Sequence, residues 1–72
     1  MILTEDDMNQ LEPFIDEIKA VAISGGRFNI AIIPMIDQIK FNRTGVRTKL
    51  WCGACVRELY NDIYAWIEET RQ

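Results

Sequence analysis

Histidine is missing altogether from the 72-residue chain. With it go the commonest general base and the commonest zinc ligand, so most hydrolase and zinc-enzyme chemistries have no residue to run on. Cysteine occurs only twice, too few for a secreted disulfide scaffold, and in a reducing compartment such residues are expected to stay thiols. No apolar run approaches the about 20 residues that a membrane span requires, and Met1-Ile2-Leu3 leads into acids rather than the basic start of a signal peptide. These absences predict a cytoplasmic protein with no membrane contact. Internal repeats, low-complexity stretches and interdomain linkers are missing too, so residues 1–72 read as one domain. No nucleophile–base pair or phosphate-cradling glycine loop occurs. The adjacent carboxylates Asp6-Asp7 and Glu68-Glu69 fall near helix ends, where they read as solvation and dipole terms rather than acid/base pairs. The expectation is a non-enzymatic chain with no catalytic residue, no cofactor and no metal site of its own.

What is present is the composition of an ordinary globular domain, 49% hydrophobic and 26% charged. A chain this short removes only about 60% of its unfolded surface on folding, so the core is small and a staple, a metal or a partner would help it. The net charge of −3 hides a polarity along the sequence. Glu5, Asp6, Asp7, Glu12, Asp16 and Glu17 all precede the first basic residue, Lys19, whereas Lys40, Arg43, Arg47, Lys49 and Arg57 follow one another with no acid between them.

Hydrophobic periodicity predicts three helices, over about residues 4–23, 27–41 and 51–70, packed as a small all-α three-helix bundle with a basic loop before the last helix. Thr4 followed by Asp7 is a capping-box start, and Gly25-Gly26 is a stop. Met8, Leu11, Ile15, Ile18 and Ala22 form the first stripe, with Pro13 on its polar side allowing a kink or a short first turn. The second segment is ambiguous at Phe28-Asn29-Ile30-Ala31-Ile32-Ile33, which has strand propensity and is interrupted by Pro34. Read as a helix, it places Phe28, Ile32, Met35, Ile36 and Ile39 on one face and a second apolar patch, Ile30, Ile33, Pro34 and Phe41, on the other. An apolar face that a three-helix domain cannot cover points to self-association or to docking of a protein partner. In the last helix Cys52, Val56, Leu59, Ile63, Trp66 and Ile67 face inward, Tyr60 flanks the core and Tyr64 is exposed.

Trp51-Cys52-Gly53-Ala54-Cys55 resembles the Trp-Cys-Gly-Pro-Cys motif of the thioredoxin family, with alanine in place of proline. The resemblance implies Cys52 as an attacking thiol at a helix amino end and Cys55 as a resolving one. It stops at those five residues, because neither a βαβ framework nor a downstream proline loop is present. Two other uses of the pair are a zinc site shared between two subunits, four thiolates from two copies, and plain burial as small hydrophobes. Burial carries the most weight. Lys40, Arg43, Arg47, Lys49 and Arg57, with Phe41 and Trp51 nearby, are candidate contacts to an anion or to nucleic acid. The same cations could instead meet the acidic first helix of another protomer.

Thr44-Gly45, Cys52-Gly53-Ala54-Cys55-Val56-Arg57-Glu58-Leu59-Tyr60 and Asp62-Ile63-Tyr64 together resemble the C-terminal part of small helical proteins from tailed bacteriophages of gut bacteria. That resemblance covers about a third of the chain and implies a phage or prophage setting, in which small helical proteins commonly act by binding or assembling. The expected function is a protein-interaction or self-assembly module, with nucleic-acid binding and dithiol chemistry as alternatives.

Overall fold

The computed structural model describes residues 1–72 as an all-α protein, 75% helical and without strands. Its elements are α1 (Glu5–Leu11), a 3-10 turn (Glu12–Phe14), α2 (Ile15–Ser24), a second 3-10 turn (Ile30–Ile32), α3 (Ile33–Thr44) and α4 (Gly53–Arg71). α1 and α2 follow each other without a loop through the first 3-10 turn, so the fold counts three helical segments.

Local chemistry sets each boundary. Thr4 and Asp7 form the expected capping box, the Asp7 amide donating to Thr4 Oγ1 at 3.1 Å and the Thr4 amide to Asp7 Oδ2 at 3.3 Å. Pro13 cannot donate a backbone bond, and the 3-10 turn that holds it interrupts the α-helical ladder. Gly25 ends α2 in the left-handed conformation, φ 67°, with its amide donating to Val21 O and that of Gly26 to Ala20 O.

Residues 27–32 are neither the α-helix expected from residue 27 nor a strand. Asn29 is extended and caps the second 3-10 turn, its Oδ1 accepting from the Ala31 amide at 3.1 Å. Pro34 then falls in the first turn of α3, where its missing N–H has no helical partner to lose. The residue that looked like an interruption starts the helix. α3 also runs beyond Phe41, to Thr44, and Gly45 closes it at φ 72°. The last helix begins at Gly53 with Cys52 as its N-cap, two residues later than expected, which leaves Leu50 and Trp51 in a turn.

α4 is the hub, with α2 and α3 both packed along it. Leu11, Ile18, Ile36, Leu59, Ile63 and Ile67 are completely buried. Tyr60 is completely buried as well, not flanking as its wheel position suggested. Its hydroxyl accepts from the Asn29 amide at 3.0 Å and donates to Asn29 O at 3.3 Å, so the phenol is satisfied inside the core. Burial is the main reason its pKa lies above the ordinary tyrosine value. Tyr64, expected outside, and Trp66, expected inside, are both half-buried against the core. At the carboxyl end of α4 the Leu3 amide donates to Thr70 Oγ1 at 2.8 Å, and the amino group of Met1 pairs with Glu69. No helix is long and apolar enough to cross a membrane.

Candidate functional site

At the amino end of α4 the turn before α3 and the turn before α4 come side by side. Between them lies a cavity of about 400 Å³ lined by Phe28, Ile30, Ile33, Pro34, Leu50, Trp51, Gly53 and Val56. Ile33 and Val56 are buried and form its floor, while Ile30 is 79% and Trp51 84% exposed. For side chains that would each gain about 1.5–3 kcal/mol by burial, standing in water is an unmet demand for a neighbour.

A stack of side chains holds this groove to the core. The Phe28 ring lies nearly parallel to the buried Tyr60 ring, centroids 5.4 Å apart. On Phe28 rests the Arg57 guanidinium, 5.3 Å from the ring centre, whose Nη1 donates to Val21 O at 3.4 Å. Tyr60 also grips the Asn29 backbone, so the wall carrying Ile30 is fixed from inside the bundle. Three of the four residues expected in a second apolar patch, Ile30, Ile33 and Pro34, are thus brought together. Phe41 is not among them. It lies half-buried two turns further along α3, under the Arg47 guanidinium at 4.1 Å. Leu50, Trp51 and Phe28 complete the groove: Leu50 and Trp51 lie in a turn with no periodicity to read, and Phe28, expected on the core face, joins Ile30 and Ile33 because residues 27–29 are not helical.

Cys52 and Cys55 border the same end. They are not buried free thiols: the two sulfurs pair as a disulfide, with Cα atoms 5.1 Å apart, and both residues are half-exposed. The physical reason is the helix start itself. An N-cap residue and the residue three positions on point the same way, within the Cα separation that a disulfide spans. The Cys55 amide, one of the open donors of the first turn, lies 3.1 Å from Cys52 Sγ. A paired sulfur is not a thiolate ligand, and no cluster of three or more metal-ligating side chains occurs in the chain.

The basic segment does not form a free cationic strip. Lys40 pairs with Asp62 at 3.1 Å, Arg43 with Asp7, and Arg47 with Asp37 at 3.3 Å. Asp37 is buried and also accepts from the Thr48 amide at 2.9 Å, which ties the loop to α3. At Asp7 burial pushes the carboxyl upward, but hydrogen bonds from Arg43 and Thr4 and the Arg43 charge together outweigh it, holding the group below its ordinary value. Of the five cations, Lys49 and Arg57 alone lack a carboxylate partner, and both adjoin the groove in sequence, next to Leu50 and Val56. Arg27, next to Phe28, is a third unpaired cation at this end.

Comparison of the chain with protein-family models, with curated proteins and with solved structures finds no match in any of the three.

Proposed function

We propose that this chain is a small, non-enzymatic protein-interaction module that works through the groove between the two turns. The observation that carries the reading is the pairing of Trp51 and Ile30, both more than three-quarters exposed, as the rims of one apolar cavity. Exposed aromatic and aliphatic side chains around a concavity are what a central binding contact is built from. The border supplies direction. Arg27 and Lys49, adjacent in the chain to the lining residues Phe28 and Leu50, and Arg57, on the Phe28 ring, carry positive charge without a carboxylate partner, and the positive end of the α4 dipole lies at the same end. The occupant is accordingly a protein segment that presents an apolar side chain flanked by carboxylates. A phage or prophage setting, which the resemblance of the C-terminal third implies, would suit such a binding or assembly role.

Peptide selection tests this directly. Short random peptides are selected on the immobilised chain and then titrated into isotope-labelled protein. Enriched peptides should combine an aliphatic or aromatic residue with Asp or Glu and shift the amides of Ile30, Trp51 and Gly53. They should also bind Ile30→Asp about tenfold more weakly or worse. Peptides that bind both proteins equally, or none that reaches the groove, would overturn the reading.

A further inference from the structure

The two ends of α4 are opposite in character. At its amino end is the apolar groove, with Arg27, Lys49 and Arg57 next to its lining residues in the chain and Glu17 the one carboxylate bonded to its wall, at Asn29. At its carboxyl end the residue 1–4 segment is tied down by the bond from Leu3 to Thr70, leaving Ile2 65% exposed. Glu5 and Asp6 of the first turn of α1 follow three and four residues after Ile2, and the last turns of α4 carry Glu68, Glu69 and Arg71, with Glu69 paired to the Met1 amino group. α4 has 19 residues, so the two ends stand about 28 Å apart at 1.5 Å per residue. One end is thus a socket with a net positive surround, the other an aliphatic knob whose surround stays net negative after the Met1 amino group and Arg71 are counted.

We infer that the occupant of the groove is a second copy of this chain, which inserts Ile2 head-to-tail, its acidic end against the basic border. This identification rests on the reading of the groove as a docking site and adds the partner to it. Charge decides the orientation. In a symmetric groove-to-groove dimer Arg27, Lys49 and Arg57 would face their own copies, and so would two positive helix ends, which costs rather than contributes. Head-to-tail stacking pairs those cations with Glu5, Asp6 and Glu68 and sets the α4 dipoles in line. Such a contact does not close on itself in a pair: each added copy presents a fresh groove and a fresh Ile2, so the product is a ring or a short filament.

Sedimentation across a concentration series reads this out, because both key residues are exposed and their variants keep the fold. The mass of the unaltered chain should climb past that of a dimer as concentration rises. Ile30→Asp and Ile2→Asp should each weaken association by about tenfold or more, to monomer over the same range. An equimolar mixture of the two should restore association and stop at a one-to-one dimer, since it holds one sound groove for each sound Ile2. Thermal unfolding checks that both variants are folded. Three results overturn the inference: a chain that stays monomeric at every concentration, association abolished by Ile30→Asp but untouched by Ile2→Asp, or association that survives in both variants. In all three the groove as a docking site is judged separately by the peptide selection, which needs no self-association.

Discussion

The interior of the bundle and the groove at its end are built from the same kinds of side chain. Ile36, Leu59, Ile63 and Ile67 are sealed completely between α2, α3 and α4, whereas Ile30, Leu50 and Trp51 remain 79%, 46% and 84% exposed. The difference lies in the backbone that carries them. Core residues sit on helices long enough to repeat one face over several turns. Groove residues sit on two short turns that break the repeat and therefore cannot all aim inward. A chain of this size has little surface to spare, so leaving an indole and an isoleucine in water is a cost that a bound partner relieves. The polar groups divide in the same way. Asp7, Asp37 and Tyr60 are buried and hydrogen-bonded, while Arg27 and Lys49 at the groove are open.

Core truncation gives the largest break in that contrast. Ile36→Ala should cost about 3–4 kcal/mol, measured by urea unfolding. In a domain whose whole stability is roughly 4–10 kcal/mol, that leaves a substantial unfolded fraction at the lower end of the range. A loss under about 1 kcal/mol would mean that the interior and the groove are equally loosely packed.

Asp7→Ala comes next, at about 2–3 kcal/mol. It removes the capping box and strands Arg43, whose Nε already has no partner, beside a buried position. The pH dependence has a definite sign. A carboxyl whose folded pKa lies below its unfolded value stabilises the protein above the ordinary aspartate range, near pH 4. That contribution is lost as pH falls from there through the folded pKa. Unfolding measured from pH 7 down to pH 2 should show the decline in the unaltered chain and a shallower one in Asp7→Asn.

Reducing the Cys52–Cys55 bond should cost about 1–2 kcal/mol, because so short a loop constrains the unfolded chain only modestly. The effect should be local to the start of α4, with amide exchange quickened at Cys52 and Val56, whose amides donate to Lys49 O and Cys52 O, but not at Leu59 or Ile63. Tyr60→Phe, which keeps the ring and removes its hydroxyl, should cost about 1 kcal/mol and loosen the Asn29 turn. Smallest of all for stability is Trp51→Ala, within about 0.5 kcal/mol. The same substitution should nonetheless remove peptide binding, and a large stability loss with binding intact would reverse the division between core and groove.

The amino-acid sequence by itself determined the helical class, the capping box at Thr4 and Asp7, the glycine stop after α2 and the inward face of α4 through Val56, Leu59, Ile63 and Ile67. Each of those is a local matter of period or cap, decided within a turn or two of chain. Boundaries near Pro34 and Cys52 were harder to read, because proline and cysteine fit a helix start as readily as an interruption or a core position until the backbone path is fixed. Only the tertiary structure decided the rest. Arg43 meets Asp7 from 36 residues away, turning a basic segment that looked free into internal pairs. Tyr60 is drawn wholly inside by the Asn29 backbone, and Ile30 and Trp51, on turns with no shared periodicity, are set around one cavity. Such encounters depend on how the loops route α3 and α2 along α4, and the repeat of apolar residues within a helix says nothing about that route.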